Sequence, residues 1–226
     1  MMRRARSCGF SLLEMAIVLV IVGFLLSGML GGMNALQSVQ RDDGTRRQLE
    51  EMRNSLITFA TVNGRLPCPA APATADSVAG AGLERAPTAS GCTGGAAGAF
   101  PWATLGLQQT DTWGRRFSYR VTPAFSRLAP AISLTSVGDN TVRNMAAVDL
   151  VTLAPAVIVS HGADGAGSRN RQGALAAAGA NVSQQENSDG DNIFVSDIVS
   201  AGFDDHVVWL PPTTLLGRLL EAGALP

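Results

Sequence analysis

Between Phe10 and Met33 the chain carries a single formal charge, Glu14, within an otherwise apolar run. At 1.5 Å per residue this run reaches about 36 Å as a helix, against roughly 30 Å of bilayer hydrocarbon. Residues 10–33 are therefore expected to span a membrane as a helix, which leaves the remainder to fold on one side of it. Arg3, Arg4 and Arg6 precede the run with no acidic residue among them. The bias of basic flanks toward the cytoplasm holds the N-terminus inside and sends everything after the span outward. Two residues do not fit a plain anchor. An ionised carboxylate inside a membrane costs on the order of a few kcal/mol, so Glu14 calls for a cation. Gly9 stands before the apolar run, whereas a secretory signal has its small-residue cleavage site after it. A cut at Gly9 keeps the span and frees an α-amino group at Phe10, four residues before Glu14 and on the same helix face.

Cys8-Gly9-Phe10-Ser11-Leu12-Leu13-Glu14 followed by an apolar helix resembles the class III signal of type IV prepilins and type II secretion pseudopilins. The resemblance implies removal of Met1 to Gly9 by a prepilin peptidase on the cytoplasmic face and methylation of the Phe10 amine. It also implies packing of the apolar helices into a filament core, with Glu14 neutralising the N-terminal amine of an adjacent subunit during assembly. A second stretch, Asp111-Thr112-Trp113-Gly114-Arg115-Arg116-Phe117-Ser118-Tyr119, resembles the Asp-x-Trp-Gly-x-x-Phe/Tyr-x-Tyr element that begins the sheet of major pseudopilins. The implied partners are other pilin or pseudopilin subunits, the prepilin peptidase and methyltransferase, an inner-membrane assembly platform and inner-membrane lipid. The implied location is the inner membrane in a single pass, with the head periplasmic, and then a filament at the cell surface.

On this reading residues 1–9 are a cleaved leader, 10–33 the transmembrane and filament-core helix, 34–63 an amphipathic stem and 64–226 a globular periplasmic head. The fold class is α+β, a long N-terminal helix packed on a small antiparallel sheet. In the stem, Leu49, Met52, Leu56 and Phe59 recur at spacings of three and four with charged residues between them, the pattern of a helix with one buried face. Asn63-Gly64 ends the helix and Pro67 forbids its continuation. Gly23, Gly28, Gly31 and Gly32 weaken the span, so either a local break or close helix packing is expected there. Strands are expected at Phe117–Val121, Ala131–Ser136, Ala156–His161 and His206–Leu210. Arg143–Leu153 reads equally as a short helix or a strand, and Thr214–Ala222 as a terminal helical turn or a docked tail.

Loss of the leader removes Cys8 and leaves Cys68 and Cys92, an even pair outside the inner membrane, which favours a disulfide closing the loop 68–92 over two unpaired thiols. The loop is rich in Ala, Gly, Pro and Thr, with little of its own to bury. The leader also removes Arg3, Arg4 and Arg6 from the 17 basic residues, leaving 14 against 18 acidic ones. A head with that balance has no basic field to recruit nucleic acid.

Between the later strands lies Ser160-His161-Gly162-Ala163-Asp164-Gly165, which resembles the Ser-x-Gly-x-Asp-Gly calcium loop of major pseudopilins, with Asp189 and Asp191 downstream. Two readings stand: turn-forming Asp and Gly with solvated carboxylates, or a calcium site drawing on Asp164, Asp189 and Asp191. The departure is the insertion Arg169–Asn187 between the loop and those aspartates. Catalysis by this chain is not expected. The glycines at 162, 165 and 167 run in the wrong order for a dinucleotide fingerprint, and His161 and His206 are joined by no nucleophile motif or third histidine. The expected function is a structural pilin-like subunit, of minor rank, in a type IV pilus or type II secretion pseudopilus. The alternatives are a membrane-anchored periplasmic binding module and a minor tip pilin for adhesion or DNA uptake.

Overall fold

A computed structural model of the protein describes residues 11–200 and 202–225, without the side chains of residues 26–35. Gly9 and Phe10, and with them the leader cut and the methylated amine, lie outside the described residues. Helix α1 (Leu12–Asn63) opens on Ser11, whose Oγ accepts the Glu14 N–H at 3.2 Å. That is the serine-to-glutamate spacing of a capping box. The backbone remains helical through Gly23, Gly28, Gly31 and Gly32, so no break occurs there. The helix ends where expected, at Gly64 with φ 66°, whose N–H bonds the Ala60 carbonyl at 2.9 Å. Among the described residues no helix is long and apolar enough to cross a membrane. The described side chains of the apolar run stop at Leu25, short of the roughly 20 residues that a span requires.

The chain divides into two compact units, one through Arg41 and one from Asp42 onward. In the second unit Thr45, Leu49, Met52, Leu56 and Ala60 are buried along one face of α1. Phe59, expected in that stripe, sits at its edge with the Arg65 guanidinium 5.3 Å from its ring centre. The elements that follow are β1 (Pro87–Thr88), β2 (Gly91–Cys92), β3 (Ala97–Ala99), α2 (Trp102–Leu105), β4 (Ser118–Val121), α3 (Pro123–Ser126) and β5 (Asn140–Arg143). After them come β6 (Asp149–Ala154), β7 (Ala156–Ser160), α4 (Val182–Glu186), β8 (Ile193–Val195), β9 (His206–Leu210) and α5 (Pro212–Glu221).

A four-stranded antiparallel sheet has the order β3-β4-β7-β9. In the register Tyr119 faces Ile158, and Ile158 faces Val208. Because side chains alternate along a strand, Tyr119, Val121, Ala156 and Ile158 turn to one face. There they meet Leu49, Met52 and Leu56 of α1, together with Phe100, Phe117, Phe125, Leu215 and Leu219. Val157 and Val159 turn to the other face and pack with Val142, Phe194 and Val207. Those partners include a second sheet, order β6-β5-β8, antiparallel on one side of β5 and parallel on the other. The head thus has three layers, helix, sheet and sheet, and β7 lies in the middle one. This explains why β7 is apolar at consecutive positions and buried along its whole length.

Two expectations change. Ala131–Ser136 is loop, although Ile132 is buried, and Arg143–Leu153 resolves into the end of β5 and most of β6, a hairpin in the second sheet. The Cys68–Cys92 disulfide is present, with Cα atoms 5.6 Å apart. It is not alone in ordering its loop. The Arg85 guanidinium donates to the carbonyls of Pro69, Gly94, Gly95 and Ala97, and Glu84 accepts two bonds from Arg65 and one from the Cys68 N–H.

Candidate functional site

Two groups of residues carry functional expectations, one in each unit. In the first unit, Glu14 occupies the first turn of α1, where the unpaired N–H groups and positive end of the helix attract a carboxylate. Ser11 is the residue that sequence reading passed over. Its role is legible in the Ser-x-x-Glu spacing, and it fixes the start of the helix one residue beyond the expected cut.

In the second unit the two motifs of the head turn out to be parts of one polar structure. Asp111 closes its own turn: Oδ1 accepts the N–H of Trp113 at 3.0 Å and of Arg115 at 2.9 Å, and Gly114 takes φ 80° between them. Its other oxygen, Oδ2, accepts the Ser160 hydroxyl at 2.7 Å. Burial pushes the Asp111 carboxyl above its ordinary pKa, against the pull of these bonds and of Arg115. The next residue, His161, is fully buried, with Nε2 2.7 Å from the Ser118 Oγ on β4. Burial depresses its ring pKa to about 4, so the imidazole is neutral at physiological pH. Ser160 and His161 therefore fasten the end of β7 to the Asp111 turn and to β4, and neither faces an open cleft.

Asp164 meets Asp204. The Asp164 N–H donates to Asp204 Oδ2 at 2.9 Å, and the Gln184 amide donates to Asp164 Oδ2 at 3.1 Å and Asp204 Oδ1 at 2.8 Å. Asp164 Oδ1 accepts the Ala166 N–H. Gly162, at φ 58°, makes room for this approach: a Cβ there would lie 2.3 Å from the Asp204 carbonyl oxygen. Asp189 and Asp191 do something else, each accepting the N–H two residues on, at 3.0 Å and 2.7 Å. No group of three or more His, Cys, Asp or Glu that could hold a metal ion occurs among the described residues. Asp164, Asp189 and Asp191 belong to no such group among the described residues, and the Asp164 oxygens accept from the Ala166 N–H and the Gln184 amide. The 169–187 insertion supplies one of these donors, Gln184 from α4, and also Asn187. The Asn187 amide donates to Val195 O and to Asp205 Oδ2, and its carbonyl accepts the Val195 N–H.

Nothing local in the sequence distinguishes Arg116 from its neighbour Arg115. It is 1 % exposed, donates to the carbonyls of Pro72, Thr74 and Arg171, and lies 4.8 Å from the Trp102 ring centre. Its work is to hold the 69–76 and 169–171 segments together.

A model of the prokaryotic N-terminal methylation motif matches residues 4–30. No curated protein and no solved structure matches the chain. The match covers Gly9, Phe10, Ser11 and Glu14, and it implies processing by a prepilin peptidase and assembly with other pilin subunits. The family that shares this motif is structural rather than enzymatic. Over residues 4–30 the chain carries the prokaryotic N-terminal methylation motif, the class III signal of type IV pilins and pseudopilins.

Proposed function

We propose that the protein is a minor structural subunit of a type IV pilus or a type II secretion pseudopilus. The methylation motif over residues 4–30, with Glu14 in the first turn of α1, is the observation that carries this reading. Residues 1–9 are removed, the Phe10 amine is methylated, and residues 10–33 hold the subunit in the inner membrane until it is drawn into the filament. Glu14 then meets the Phe10 amine of a neighbouring subunit, which relieves the cost of a carboxylate in an apolar core. The α+β head supports the same reading, since the C-terminal part of α1 supplies one layer of its core. The 169–187 insertion, built into the head by Gln184 and Asn187, favours minor rank over the repeated main subunit. In cells, Glu14→Ala is expected to leave the subunit processed and membrane-bound but excluded from filaments, read by immunoblotting sheared filaments against membranes. Unchanged incorporation would overturn the filament reading.

A further inference from the structure

In a helix continuing from upstream, the Glu14 N–H would bond the Phe10 carbonyl, four residues back. It bonds Ser11 instead, Oγ at 3.2 Å and the carbonyl oxygen at 3.1 Å, and the Met15 N–H closes the first four-residue bond on that same carbonyl at 3.2 Å. Ser11 itself stands outside the helix, which begins at Leu12. These are the marks of an N-cap, with Glu14 at the third helical position. The same register puts Phe10 just before the cap and Met15 at the fourth helical position. An apolar pair at those two places forms a hydrophobic staple, which sets the direction in which the chain enters a helix.

On the prepilin reading, to which the motif match over residues 4–30 points independently of this geometry, the bond to be cut is Gly9–Phe10, just before the cap. A peptidase has to reach both faces of the bond it hydrolyses. A peptide carbonyl inside a helix is pledged to the N–H four residues on and is hemmed in by the turns around it. Immediately upstream the chain offers two other residues that cap helices, Gly9 and Ser7. A helix begun at either would take the Gly9 carbonyl as an acceptor, because the cap residue's own carbonyl receives the first helical bond. Which residue caps α1 therefore decides whether the carbonyl at the cut is free.

We propose that Ser11 is a positioning residue for leader removal: its hydroxyl holds the start of α1 at Leu12 and so leaves the Gly9–Phe10 bond outside the helix for a prepilin peptidase. The proposal rests on the prepilin reading and adds a determinant of its first reaction. The donor to Ser11 is the backbone N–H of residue 14, so the cap is separate from the assembly role of the Glu14 carboxylate. Loss of the hydroxyl weakens the start at Leu12 by about fivefold, and alanine, the best helix former, adds about twofold in favour of upstream starts. Only the chain whose bond is free binds productively, so the loss falls on KM and leaves kcat unchanged.

The test incubates the full-length chain in detergent with the prepilin peptidase of its host and follows release of Met1 to Gly9 by mass spectrometry. Ser11→Ala is expected to raise KM by about two- to tenfold with kcat unchanged. Ser11→Asn and Ser11→Asp cap as well as serine and are expected to stay within about twofold of the parent. Ser11→Thr and Ser11→Val are nearly alike in shape, yet only threonine caps, so the valine variant is expected to show the higher KM. Equal KM for threonine and valine, an alanine variant as good as the parent, or asparagine and aspartate as poor as alanine would overturn the positioning role. So would a loss confined to kcat, which would make Ser11 a direct contact of the peptidase. A parent chain left uncut, or cut after Met33, strikes the prepilin reading, whereas a parent cut at Gly9 with no dependence on the cap strikes this proposal alone.

Discussion

Replacing Asp111 by alanine removes the carboxyl that ties the two head motifs together. Three donors lose their acceptor: the N–H of Trp113, the N–H of Arg115 and the hydroxyl of Ser160. Asp111 is 5 % exposed, so these groups are left with little solvent to replace it. A buried donor without a partner costs about 1–3 kcal/mol, and partial entry of water into the vacated space brings the sum to about 3–5 kcal/mol. Asp111→Asn is the informative control. Its amide oxygen can keep both backbone bonds at the Oδ1 position, and its NH₂ faces the Ser160 oxygen, which accepts as readily as it donates. Because burial already raises the Asp111 pKa, a neutral group gives up little there, and a cost of about 1 kcal/mol is expected. Ser160→Ala alone is expected to cost about 1–2 kcal/mol. Combined with Asp111→Ala it adds almost nothing, since the bond is already gone. Urea unfolding of the full-length chain in detergent, followed by tryptophan fluorescence, measures all four. An Asp111→Ala cost below about 1 kcal/mol, or equal costs for Asn and Ala, would refute the reasoning.

Further outcomes follow from single features. Serine at both Cys68 and Cys92, whose separation is 24 residues, is expected to cost about 3.5 kcal/mol from loop-closure entropy, read by the same urea titration. Gly162→Ala, forced against Asp204 at positive φ, is expected to cost more than 2 kcal/mol, while Gly190→Ala, with its nearest atom at 3.9 Å, costs only the backbone term of about 1 kcal/mol. The pH profile of thermal stability has two opposed arms. His161 is held neutral down to about 4 while the unfolded ring takes a proton near 6.5, so stability rises with pH between those values. Asp205 holds its proton up to about 8 while the unfolded carboxyl loses it near 3.9, so its contribution falls as pH rises through that window. Stability is therefore expected to decline from about pH 6.5 to 8. Asp205→Asn should remove that decline and unmask a rise between about pH 4 and 6.5, and His161→Gln should extend the decline down toward pH 4.

The features legible in the sequence are those governed by local chemistry. The strand at His206–Leu210 and the apolar run of β7 were readable from β-branched residues, the end of α1 from Asn63-Gly64, and the disulfide from cysteine parity. Ala131–Ser136 was misleading because one buried side chain, Ile132, can be anchored from a loop as well as from a strand. The second sheet went unread because β5 and β8 are short and pair in parallel across 50 residues of chain, a contact that no local pattern announces. The Asp164 turn was located correctly, but its partners were not: Gln184 and Asn187 lie in a stretch that looks like a polar insertion, and only the fold brings their amides to Asp164, Asp204 and Asp205. Arg115 and Arg116 are adjacent and alike in sequence, yet Arg116 is the buried one, because the carbonyls that accept three of its guanidinium hydrogen bonds lie 42 and 44 residues before it and 55 after. Ser11 was readable in principle from its distance to Glu14.

The central claim is that the chain is a prepilin, cut before its apolar helix and not after it. Intact-mass and N-terminal peptide analysis of the protein purified from membranes of a host with its prepilin peptidase tests that claim directly. The mature chain is expected to begin at Phe10, to carry one added methyl group on the Phe10 amine and to retain Ser11 through Met33. A chain that still bears Met1 to Gly9, or one cut after Met33, would contradict it.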